Sequence, residues 1–179
     1  MWLQKLHPCV ICFFVTFSSA AAAAPNNRTS TFLGSVAISK PAFLHLLPAS
    51  DESQRLVISS FGPLAPGRIL AMPIDTSRDD WLEAGFKDLK PVTRAISWPN
   101  HVESVPDEVM GKGKVIVGSG FLIPGYKTGS VSIVDETTGE STPIVKAKSD
   151  YFYHETVFYD VDQDGRLDII CLLYTSPSP

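Results

Sequence analysis

Asp160-Val161-Asp162-Gln163-Asp164-Gly165-Arg166-Leu167-Asp168 sets four carboxylates within nine residues and puts a glycine where the backbone must turn sharply. Carboxylates that close repel one another unless a cation sits between them, and hard oxygen donors in a flexible loop suit Ca²⁺ better than Zn²⁺ or Mg²⁺. The expected ligands are the side chains of Asp160, Asp162, Asp164 and Asp168, at loop positions one, three, five and nine, with the Arg166 backbone carbonyl at position seven. The alternative is an acidic surface turn that holds no metal. The flanks decide the fold class. Tyr151-Phe152-Tyr153 and Val157-Phe158-Tyr159 precede the loop and Leu167-Asp168-Ile169-Ile170 closes it. Aromatic and β-branched runs of that length read as strands, so the loop joins two strands of an all-β protein.

The spelling D-x-D-x-D-G also belongs to the EF-hand, but an EF-hand needs a glutamate at its twelfth position and a helix on each side. The twelfth position from Asp160 is Cys171. The strand–loop–strand pattern instead resembles the FG-GAP or VCBS repeat of integrin alpha-chain propellers and of many secreted repeat proteins. That resemblance implies a β-propeller with one calcium loop between two strands of a blade, and a role in adhesion or matrix recognition. It is specific over residues 151–170 and loose elsewhere.

Upstream the chain repeats itself. Leu56-Val57-Ile58-Ser59-Ser60-Phe61-Gly62 leads, through a loop with Pro63 and Pro66, into Gly67-Arg68-Ile69-Leu70-Ala71-Met72; Val115-Ile116-Val117-Gly118-Ser119-Gly120-Phe121 leads, through Pro124 and Gly125, into Gly129-Ser130-Val131-Ser132-Ile133-Val134. Leu167 to Ile170 takes the first-strand place of a third copy. Copies about fifty to sixty residues apart suit propeller blades with generous loops. Residues 41–170 are therefore expected to form a partial propeller of about two and a half blades, which cannot close a ring alone. Ser59, Ser60, Gly118 and Gly120 suit crowded inner strands. The lead-ins Asp51 to Arg55 and Gly111 to Lys114 carry basic residues where the third copy has its acidic loop. Asp135 to Glu140 reads as the turn of an outer hairpin ending near Thr142-Pro143-Ile144-Val145.

The two ends read differently. Residues 1–24 combine Lys5, an apolar centre from Val10 to Phe17 and a run of alanines, the pattern of a secretory signal peptide cleaved before Pro25. Residues 25–40 form an N-terminal mature segment with an N-x-T sequon at Asn27. Residues 171–179, Cys171 to Pro179, resemble one reading frame of the transposon adapter of sequencing libraries, which makes Ile170 about the last native residue of an incomplete chain. Cys9 and Cys12 leave with the leader and Cys171 belongs to the tail, so no disulfide framework is expected. The formal net charge of −4 over 179 residues, with no basic cluster, excludes a nucleic-acid partner. No second apolar stretch reaches membrane-spanning length. The expected location is extracellular, and the expected partner a protein or glycan.

Catalytic patterns fail on inspection. His154-Glu155 starts an H-E-x-x-H, but Phe158 stands in place of the second histidine; Gly118-Ser119-Gly120 lacks the glycine spacing of a nucleophile elbow. Gly111-Lys112-Gly113-Lys114 lacks P-loop spacing and reads as a hairpin turn. His45 and His101 are read as isolated loop or surface histidines, Trp98 and Phe121 as core, and Asp79-Asp80-Trp81 with Glu83 as a solvated connection with Trp81 packed beneath. Two function classes remain. The first is an exported, calcium-stabilised binding or adhesion module. The alternative is an exported propeller enzyme (a sugar lyase, hydrolase or quinoprotein-like oxidoreductase) whose chemistry lies on other blades; the Asp135 to Gly139 turn loosely resembles quinoprotein blades.

Overall fold

The computed structural model describes residues 9–17, 29–48, 54–62, 65–93, 96–121 and 128–175. The elements in chain order are β1 (Cys9–Phe17), β2 (Thr29–Ile38), β3 (Pro41–Pro48), β4 (Gln54–Gly62), β5 (Ala65–Ile74), α1 (Trp81–Lys87), β6 (Lys90–Thr93), β7 (Pro99–Ser104), α2 (Asp107–Met110), β8 (Lys114–Ser119), β9 (Thr128–Asp135), β10 (Ser141–Ser149), β11 (Tyr151–Tyr159) and β12 (Asp168–Thr175). The protein is all-β, with antiparallel pairing throughout and two short helices among the described residues. Among the described residues no helix is long and apolar enough to cross a membrane.

Strands β3-β4-β5-β6 form one four-stranded sheet and β7-β8-β9-β10 a second, each in sequence order; β11-β12 and β1-β2 are two-stranded. The sheets stack. Leu47, Val57 and Ile69 of the first face Val102, Val115, Val117 and Val134 of the second. The second sheet's other face, with Ile116, Val131 and Ile133, meets Tyr153, Phe158 and Ile169 of the β11-β12 pair. Ile38 of β2 covers Ile58 and Leu70 on the first sheet's outer face. The second sheet is thus buried on both sides. That is why β8 reads as an unbroken apolar run, Val115-Ile116-Val117, where a strand with one wet face would alternate. The open edges are blunted: Lys90 and Pro91 stand on β6, Pro143, Lys146 and Lys148 on β10.

One feature recurs at the start of β3, β7 and β11. The residue just before each strand has positive φ: Lys40 at 54°, Trp98 at 54° and Asp150 at 63°. Lysine and tryptophan do not favour that region, so the turn is imposed by the strand that follows. Its spelling is Ile38-Ser39-Lys40-Pro41 and Ile96-Ser97-Trp98-Pro99.

The acidic connection at Asp79 to Glu83 is solvated at its carboxylates, with Trp81 half-buried as expected, and it also holds a short helix that the sequence did not signal. Asp79 and Asp80 are exposed, but Trp81 opens α1, whose Leu82 and Gly85 are buried. Gly85 lies so close to Met72 that an added Cβ would stand 2.4 Å from its methyl carbon. Periodicity over a single two-turn helix is too short to detect. At the ends, Cys9–Phe17, which contains the apolar stretch Val10 to Phe17 expected to be the centre of a leader, pairs with β2, and Cys171 to Thr175 continue β12 against Tyr151 to Thr156. Ladder hydrogen bonds are made by backbone and accept these residues whatever their origin. The alanine run, Asn27, Asp51 to Ser53, Pro63, Pro124, Gly125 and residues 176–179 lie outside the described residues.

Candidate functional site

The acidic loop hangs between β11 and β12, at the sheet end that also carries the β7–β8 connection and the β9–β10 turn. Antiparallel pairing of Tyr159 with Asp168 brings its two ends together, so residues eight positions apart in the loop become neighbours. Each of Asp160, Asp162 and Asp168 offers a carboxylate oxygen within 4.8 Å of the others. Backbone N–H groups turn inward to hold them. Asp164 N donates to Asp160 Oδ1 (3.1 Å) and Asp162 Oδ1 (3.2 Å), Gly165 N to Asp160 Oδ2 (2.9 Å) and Val161 N to Asp168 Oδ2 (3.1 Å). The inward turn uses left-handed backbone at Gln163 (φ 60°) and Gly165 (φ 85°), which glycine adopts without steric cost.

Asp164 stands outside this triad. Its Oδ2 accepts from the Arg166 guanidinium (Nη2 2.6 Å, Nε 3.0 Å) and its Oδ1 from Arg166 N (2.9 Å). The Arg166 side chain, then its backbone N–H, holds the Asp164 carboxyl below the usual range. Arg166, expected to contribute a carbonyl, thus has a second part as the partner of Asp164.

At the same end, the basic lead-ins of the first two sheets make ion pairs instead. Arg55 at the start of β4 pairs with Glu136 in the β9–β10 turn and donates to Ser104 Oγ at 3.3 Å. Lys114 at the start of β8 reaches Asp135 at 3.6 Å. A cleft of about 580 Å³ opens beside them between the first and second sheets, lined by Arg55, Glu103, Asp107, Lys114 and Glu136 among others.

The first strands of the sheets hold a second polar group. His45 of β3 and His101 of β7 are not isolated, contrary to expectation: their rings meet edge to face at 5.4 Å between centroids. His101 Nε2 lies 3.0 Å from the Thr156 carbonyl of β11, which can only accept, so Nε2 carries the proton. His45 Nε2 is buried with no partner. Burial first, then the neighbouring His101, lowers the His45 pKa from 6.5 to about 4, against a hydrogen bond to the Asn100 backbone.

The sign of that shift gives a test. The folded state refuses a proton that the unfolded chain takes up below 6.5, so stability holds above that value and falls as the pH drops towards 4. The full shift is worth about 3 kcal/mol, and partial exposure screens it to about 1–2 kcal/mol. Urea unfolding at about pH 7 and about pH 4.5 is expected to show this excess acid loss for the wild type over His45→Leu; parallel losses would remove His45 from the acid response.

Trp98 and Phe121 are half-buried members of an aromatic row across the three sheets, at the end opposite the acidic loop. Phe61 meets Trp98 (5.2 Å), Trp98 stacks on Phe121 (5.2 Å) and Phe121 meets Phe152 (6.1 Å). The signal that could have located His45 and His101 is the Ile-Ser-x-Pro spelling, since each histidine follows within the strand it opens.

Compared with known families, curated proteins and solved structures, the chain matches none.

Proposed function

We propose that this protein is an exported binding module built from β-propeller blades, with Ca²⁺ held in the loop from Asp160 to Asp168. The observation that carries the reading is the convergence of Asp160, Asp162 and Asp168 in a loop joining two antiparallel strands. Two four-stranded meanders stacked face to face, followed by a third sheet begun in the same manner, support blades as the repeating unit. So does the recurring left-handed turn before β3, β7 and β11. Three carboxylates leave a local excess of negative charge that a divalent cation neutralises, and oxygen donors on a loop match the demands of Ca²⁺. The Arg166 carbonyl and Asp164, once released from Arg166, supply the further oxygens expected of it.

Bound Ca²⁺ clamps the β11–β12 connection and so presents a rigid loop surface to an extracellular protein or glycan. Titrating Ca²⁺ into the chelator-treated protein while following thermal unfolding is expected to raise the Tm. At about 100-fold excess over Kd the gain is about 2.7 kcal/mol. Asp162→Ala is expected to lower the Tm in calcium and leave it unchanged in chelator. Equal losses in both conditions would remove the metal from the reading.

A further inference from the structure

We propose that His45 and His101 bind a divalent transition-metal ion of the Zn²⁺ class between the first and second sheets, at a site separate from the acidic loop. Three observations converge on it. The two rings come from different sheets and lie 5.4 Å apart between centroids. Two imidazoles sharing one tetrahedral ion, with Zn–N distances of about 2.0–2.1 Å, have centroids about 5 Å apart. His101 spends its Nε2–H on the Thr156 carbonyl, and His45 keeps its Nε2 buried with no partner. Metal-binding histidines are oriented in this way, because the bond fixes the tautomer and turns the remaining lone pair outward.

The lone pairs left are Nδ1 of His101 and Nε2 of His45, and the latter is buried without a donor. A buried acceptor with no partner is unfavourable, and a ligand that accepts its lone pair removes that penalty. Two imidazoles suit Zn²⁺, Co²⁺ or Ni²⁺, whereas Ca²⁺ prefers oxygen ligands alone. The ion would join β3 to β7 as a cross-link between sheets.

The experiment is a titration of the full chain, stripped with chelator and held in saturating Ca²⁺, with Zn²⁺ by calorimetry and with Co²⁺ by visible absorption. About one equivalent of Zn²⁺ is expected to bind despite the Ca²⁺. The Co²⁺ spectrum should show ligand-field bands without thiolate charge transfer. Both His45→Gln and His101→Gln should weaken binding at least about tenfold, and His154→Gln, on the exposed part of β11, should leave it unchanged. No uptake by the folded wild type overturns the proposal. So does binding that survives both histidine variants, displacement by Ca²⁺, or a thiolate band that places the ion on cysteine (Cys9, Cys12 or Cys171). If His45→Gln does not fold, His101→Gln and the wild-type Co²⁺ spectrum decide between these outcomes.

Discussion

Ile116→Ala is expected to destabilise the protein by about 3–5 kcal/mol, the upper part of the range for emptying a buried isoleucine site. Ile116 lies in the middle of β8 with no exposed surface and packs with Val131, Ile133, Val105 and Tyr153 between the second sheet and β11. Truncation removes apolar contact on that face and leaves a hole that cannot collapse, because the first sheet holds β8 from behind through Val115 and Val117. Ile144→Ala on the edge strand β10, where the side chain is 40% exposed, should cost less than about 1 kcal/mol. Urea unfolding of both variants checks this. A loss below about 1 kcal/mol for Ile116→Ala would mean that β11 and β12 are not seated on the second sheet, and the acidic loop would lose the platform that positions it.

Gly129→Ala is expected to be nearly as damaging through the opposite fault. An added Cβ would stand 2.4 Å from the Tyr151 carbonyl oxygen and 2.7 Å from that of Ser119, and both are backbone atoms that cannot swing aside. Backbone must shift at the beginning of β11 or the end of β8, at a cost of about 2–3 kcal/mol for an overpacked site. The shift propagates along β11 towards the loop, so the variant should also weaken the Ca²⁺ binding proposed for that loop while keeping all its acidic residues. Unfolding curves give the first effect and calcium titration the second. A variant as stable as the wild type would show that β9 and β11 stand farther apart than the structure places them.

Legibility in the sequence followed the range of the interaction. β4, β5, β8 and β9 could be read from apolar runs bounded by Pro and Gly, and the β9–β10 turn from Asp135 to Glu140, where Asp135 Oδ1 accepts from the backbone N–H of Thr137 and Thr138. The acidic loop could be read because its ligand candidates lie within one turn of chain, but Asp164 could not be separated from the others. Its attachment to Arg166 is a choice of rotamer, which spacing does not encode. Helix α1 was missed because its two turns are shorter than the window in which a helical period shows.

By itself the sequence determined the all-β class, the positions of the strands buried on both faces and the candidate cation loop, because these follow from side-chain period and local turn chemistry. Tertiary structure alone decided that His45 meets His101, that Arg55 meets Glu136 across two sheets, and that Phe61, Trp98, Phe121 and Phe152 form one row. Those partners lie tens of residues apart, and stacking of sheets brings them together by burying apolar faces that carry no record of which face they will meet. The hydrophobic effect that drives the stacking is non-directional, so the identity of each partner is settled only when the sheets come to rest against one another.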